Sequence, residues 1–150
     1  MTAQVDHAVV GVLVEQDGKF LLVRESKPGR EGMYNTPGGH VEPYETLFES
    51  AIREVREESG YEIELTGLLT VHQTVLPHIN VSGPVFAARV VGGSAQPTSD
   101  HPEVRWFSIE ELRELEANNR LFTAYPVYAA ELLLAGKVLP LDTVVCVRKD

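Results

Sequence analysis

Apolar and polar positions near the start of the chain predict two strands joined by a tight turn. The runs 7–14 and 19–24 are rich in Val and Leu, and Gln16-Asp17-Gly18 between them is a hairpin signal. Residues 25–33 are polar and contain glycine, which predicts a loop, and 34–37 extends into a Gly38-Gly39 turn. From residue 46 the period changes from two to 3.6. Leu47, Phe48, Ala51, Ile52 and Val55 form one apolar stripe, Thr46 and Glu49 have capping-box spacing, and Gly60 supplies a stop, so a helix over 46–59 is expected. Strand-like runs follow at 63–74, 84–91 and Val104–Phe107. Ser108 with Glu111 repeats the capping-box spacing and starts a short helix to about Ala117. Thr123 precedes a third helix ending near Gly136, with Pro126 tolerated in its first turn. The run 143–147 again has strand composition. Strands alternating with three helices in this order predict an α+β or α/β/α layered domain.

Length and composition narrow this picture. The chain of 150 residues is the size of one domain, 1–150, and can bury a core without disulfides. Cys146 is the one cysteine, which excludes an internal disulfide and a cysteine-rich zinc cage, and its place in 143–147 predicts a small buried hydrophobe. Residues 1–7 carry no Lys or Arg, and no apolar run reaches the roughly 18 residues of a membrane span, so no membrane partner and a cytoplasmic location are expected. A formal charge of −9 without a basic stripe argues against a nucleic-acid polymer as partner. It does not argue against a small phosphorylated substrate, because net charge describes the surface and not a pocket.

The chemistry concentrates in the predicted first helix. Glu54, Glu57 and Glu58 stand at i, i+3 and i+4, so their carboxylates share one face. No Lys follows four residues on to neutralise them. Three like charges this close are stable mainly with a strong positive charge among them, and carboxylate oxygens suit Mg²⁺, Mn²⁺ or Ca²⁺. A solvated acidic helix is the plain alternative.

The stretch from Gly39 to Tyr61 resembles the signature of the Nudix hydrolases: glycine, five residues, Glu, seven residues, Arg-Glu, an aliphatic residue, any residue, Glu-Glu, any residue, glycine and an aliphatic residue. Gly39, Glu45, Arg53, Glu54, Val55, Glu57, Glu58 and Gly60 match, and Tyr61 departs by being aromatic at a packing position. The resemblance implies a mixed sheet sandwiched between helices, the Nudix fold, with the motif as a loop–helix–loop beside it. It also implies Mg²⁺-dependent hydrolysis of a pyrophosphate bond, with Mn²⁺ as a substitute, in a nucleoside di- or triphosphate or related nucleoside-diphosphate derivative. By carry-over, Glu54, Glu57 and Glu58 would hold the metal with the Gly38 carbonyl, Glu54 or Glu57 would also activate water, and Arg53 would orient Glu57. Glu45 would be structural, paired with Arg53. Glu103, three residues before Trp106, resembles a further metal-binding acid, and Asp100 and His101 compete for that role.

Arg24 at a strand end could meet a phosphate with its planar fork. Tyr34, Asn35 and Gly39 lie around the expected metal turn, where substrate would pass, and His40 is a weaker candidate. His72, Gln73 and His78 have no assigned role. Pro77 stands roughly where ADP-ribose hydrolases place a proline, which leaves ADP-ribose or a dinucleoside polyphosphate as alternative substrates. Tyr34–Glu42, Val71-His72-Gln73, Arg105–Leu112 and Ala135–Asp142 are similar to the bacterial Nudix phosphatase branch, which acts on nucleoside tri- and diphosphates and thiamine-type pyrophosphates. A catalytically silent Nudix ligand-sensing module and a Ca²⁺-stabilised structural domain are readings from other classes. The sequence leaves a homo-oligomer open.

Overall fold

The computed structural model describes residues 6–150. Its elements are β1 (His7–Gln16), β2 (Lys19–Arg24), β3 (Tyr34–Asn35), β4 (Gly38–His40), α1 (Leu47–Ser59), β5 (Tyr61–Val75), β6 (Asn80–Gly93), β7 (Val104–Phe107), α2 (Ile109–Ala117) and α3 (Pro126–Leu134), with a 3₁₀ turn at Leu141–Thr143. The fold is α+β, a mixed sheet in the order β3-β2-β1-β6-β5, with β4 added to β1 and β7 to β2. β1 and β6 run parallel and the other pairs antiparallel.

Local chemistry explains the key joints. Asp17 and Gly18 both have positive φ, 53° and 77°, which matches the two-residue primed turn of a twisted hairpin. Thr46 accepts the Glu49 amide at 3.1 Å to cap α1, and Gly60 closes the helix in the left-handed conformation. The Ser108–Glu111 box before α2 is complete in both directions. β1 and β2 alternate between two cores. Leu13, Phe20 and Leu22 pack with Tyr34, Phe107, Leu112, Tyr125 and Ala129 under α2 and α3. Val10, Val12, Val14 and Leu21 pack with Ala51, Val55, Phe86 and Ala88 under α1. The sheet therefore has helices on both faces, and α1 is fixed by its buried Ala51 and Val55.

Three expectations are corrected. Gly38 and Gly39 form no turn: they are a strand paired with Gly11 and Val10 of β1. A Cβ at Gly38 would lie 2.2 Å from the Val10 carbonyl oxygen, so glycine is required there for close approach of two backbones. The run 143–147 is not a strand, because it finds no pairing partner after the 3₁₀ turn, and Cys146 is only half-buried. The third helix begins at Pro126, later than its polar start signal, because the Thr123 hydroxyl is spent on Asn35 and caps nothing.

Candidate active site

Arg53 organises the exposed edge of α1. Its Nε and Nη2 donate to the two Glu45 oxygens at 2.7 and 3.0 Å. Nη1 donates to Glu54 at 3.0 Å and Glu57 at 3.1 Å, and Nη2 also reaches the His40 carbonyl at 3.2 Å. The fork beside Glu45 pulls its carboxyl down to about 2. Arg53 thus ties the helix to the 41–46 loop and to β4, and holds two of the three glutamates in fixed directions.

The third glutamate lies deeper. The Glu58 and Glu54 carboxyl groups are within hydrogen-bond reach of each other, and the Gly38 amide donates to Glu58 Oε2 at 3.3 Å. Burial pushes Glu58 well above the carboxylate range, and the neighbouring Glu54 charge pushes it further. Burial raises Glu54 too, against the opposing hydrogen bonds and charge of its neighbours. Two enclosed carboxylates in contact must share a proton or a cation. Gly39 completes the enclosure, since a Cβ there would stand 2.6–2.9 Å from the Glu54 carboxyl atoms. Among the described residues no three acidic, His or Cys groups already converge as a ligand set. The pair nevertheless fits a hard divalent cation, which would replace the shared proton, and Glu57 lies on the same face with its side chain 58% exposed and held by Arg53 at 3.1 Å.

The remaining predicted residues fall into two groups. Arg24 sits directly opposite Tyr34 in the β2–β3 register, and both meet Glu103: the Tyr34 hydroxyl donates to it at 2.9 Å, and Arg24 Nε lies 3.5 Å away. That 3.5 Å contact lacks hydrogen-bond geometry, so Arg24 Nε is buried without a hydrogen-bond partner. Glu103 is also 3.9 Å from Arg105. Its carboxylate therefore meets these three side chains. Tyr34 is buried edge-on against Phe107 and under the Arg120 guanidinium, so its ring offers no open face. Asn35 accepts the Thr123 hydroxyl at 2.8 Å. His40 touches His7 through their Nδ1 atoms at 2.9 Å and belongs to the site only through its carbonyl. The ring of His72 in β5 lies tilted against Tyr125, and its burial lowers its pKa.

Sequence reasoning missed Glu25. It is 6% exposed, 3.4 Å from His101 Nε2 and 3.8 Å from Arg30 Nε, and its charge is felt at Glu58. Burial pushes the Glu25 carboxyl up, but the hydrogen bond and charge of His101, with Arg30 and Lys27, outweigh it and leave it low. The one hint in the sequence is an acid placed directly after the apolar β2 run. Asp100 supplies its carbonyl to Ser26, tying the 98–101 loop to this corner.

The NUDIX domain family matches residues 5–128. The chain belongs to the Nudix family. Over 113 residues it is 33% identical to an ADP-ribose pyrophosphatase of Methanocaldococcus jannaschii, covering 73% of this chain and 67% of that protein. It is 34% identical over 117 residues to phosphatase NudJ of Escherichia coli, covering 75% and 74%. A solved NUDIX hydrolase from Nitrosomonas europaea superposes with a TM-score of 0.85 at 28% identity, covering 95% of this chain and 98% of that one. This Nudix chain is a hydrolase of the pyrophosphate-cleaving type, and enzymes of the family use a divalent cation. Among the described residues no helix is long and apolar enough to cross a membrane.

Proposed function

We propose that this Nudix hydrolase is a single cytoplasmic domain, 1–150, that cleaves the phosphoanhydride bond of a nucleoside di- or triphosphate or related nucleoside-diphosphate derivative. Mg²⁺ is the proposed cation, with Mn²⁺ as substitute. The observation that carries the reading is the enclosed Glu54–Glu58 pair against the Gly38 amide, with Glu57 on the same face. Glu54, Glu57, Glu58 and the Gly38 carbonyl would hold the cation. When bound, it would polarise a phosphoryl oxygen, make bound water more acidic and neutralise charge on the leaving phosphate.

The protein's own groups account for the remaining steps. Glu54 or Glu57 accepts a proton from the attacking water as the new phosphorus–oxygen bond forms and the bridging bond breaks. Arg53 keeps both carboxylates aimed while Glu45 holds Arg53. The Arg24 guanidinium, on a side chain 39% exposed beside Glu103, is offered to a phosphate oxygen. Glu103 anchors Arg24 and Tyr34 in this reading.

The relatives' names support two substrate groups, ADP-ribose and the substrates of a phosphatase. Release of nucleoside monophosphate, pyrophosphate or phosphate from a panel of nucleoside di- and triphosphates and ADP-ribose, followed by chromatography with Mg²⁺ and again with chelator, tests the reading. Release from at least one member, abolished by chelator, is expected. Binding of a panel member with no release under any divalent cation would favour the ligand-sensing module.

A further inference from the structure

After the 3₁₀ turn the chain returns to the loop that precedes α1, and one side chain holds it there. Val144 packs against the core under α1, but Val145 and Val147 are 80% and 73% exposed. A cleft of about 380 Å³ lies between residues 145–149 and 44–47, so apolar packing does not hold this tail. Arg148 holds it instead. Its Nη2 donates to the two Glu49 oxygens at 2.6 and 2.7 Å, and its Nε donates to the Tyr44 carbonyl at 3.2 Å. The guanidinium also lies 5.1 Å from the centre of the Tyr44 ring, whose hydroxyl donates to Asp150 at 3.5 Å.

Helix stability does not explain this placement. A cation beside the first turn of α1 opposes the helix dipole, and an exposed ion pair contributes little. The contact does hold backbone strain. Tyr44 has a φ of 65°, a left-handed conformation that bulky residues rarely adopt and that persists only where the surroundings impose it. It stands in a turn closed from both ends. The Glu45 amide donates to the Glu42 carbonyl at 3.2 Å, and the Glu42 amide donates to Glu45 Oε1 at 3.1 Å. Glu45, the next residue, anchors Arg53, and Arg53 aims Glu54 and Glu57. The tail lies outside the 5–128 span common to the family, so this hold is additional to the motif. We infer that Arg148 is a positioning residue for hydrolysis: it keeps Tyr44 in its left-handed turn and thereby, through Glu45 and Arg53, fixes the directions of Glu54 and Glu57. This rests on the reading of those glutamates as the cation's ligands.

The test compares wild type, Arg148→Ala and the double variant Arg148→Ala/Tyr44→Asn. Mg²⁺ affinity is measured by calorimetry, kcat and KM are measured on the panel member cleaved fastest, and melting temperatures confirm folding. Arg148→Ala should lower kcat at least about fivefold and leave KM within about twofold, because aim is lost while substrate contacts remain. Mg²⁺ should bind at least about threefold more weakly, since the groups that orient its ligands are loosened. Asparagine adopts the left-handed conformation readily, so Tyr44→Asn should return the kcat of Arg148→Ala to within about twofold of wild type. Folded Arg148→Ala with kcat within about twofold of wild type overturns the inference, and so does a loss that Tyr44→Asn leaves in place. Wild-type protein that neither binds Mg²⁺ nor cleaves any panel member overturns the ligand reading instead, so the two failures are distinguishable.

Discussion

At the scale of single residues, the site depends on one arginine contacting several carboxylates at once. Glu45 gives Arg53 a two-point anchor, leaving Nη1 to serve Glu54 and Glu57. The Glu45 pKa of about 2 lies below the ordinary 4.5. Its contribution to stability is therefore complete above about 4.5 and is lost as pH falls towards 2. The difference in melting temperature between wild type and Glu45→Gln should be largest near neutrality and shrink through that acid range. A difference that does not change with pH would show that the ion pair is not its origin. For Arg24, both Arg24→Ala and Arg24→Lys should raise KM at least as much as they lower kcat, since an ammonium cannot reproduce the fork. KM unchanged for every active nucleotide would place the phosphate contact elsewhere.

At the scale of elements, α1 was readable because its information is local. The 3.6 spacing puts Ala51 and Val55 on the sheet and the glutamates beside them, and Thr46 and Gly60 mark its ends. Thr46→Ala should cost about 1 kcal/mol of stability, the usual value of such a cap, and alter turnover less than melting. Unchanged melting with abolished turnover would mean that Thr46 contacts substrate. β4 was not readable, because its two glycines pair with Gly11 and Val10 of β1, 27 and 29 residues away in sequence, and nothing local announces it. Gly39→Ala tests that close approach: its Cβ would crowd the Glu54 carboxyl, so divalent-cation affinity should fall while the fold persists. Full affinity in the alanine variant would show that the corner is looser than described. The 143–147 run failed for the opposite reason. Its composition suits a strand, but strand formation needs an unoccupied edge, and here residue 148 clamps the tail to Glu49 instead.

For the whole molecule, the alternation of strands and helices gave the layered α+β fold, and the motif gave Arg53, Glu54, Glu57 and Glu58. Which residues gather around them depends on tertiary packing. That is why Glu25 had only a faint sequence signal, and why Glu103 lies with Tyr34 and Arg24. The charge of −9 and a site for a polyanion coexist because the enclosed carboxylates favour a bound cation. The most direct measurement of that central claim combines calorimetric Mg²⁺ titration with hydrolysis kinetics for wild type, Glu57→Gln and Glu58→Gln. An amide keeps the shape of each side chain and removes the charge. Turnover should fall by orders of magnitude in both variants and Mg²⁺ affinity should drop, while without metal Glu58→Gln stays folded, because the amide removes a buried charge that burial and the neighbouring Glu54 disfavour. Near-wild-type turnover in either variant would contradict the assignment of these glutamates as the cation's ligands.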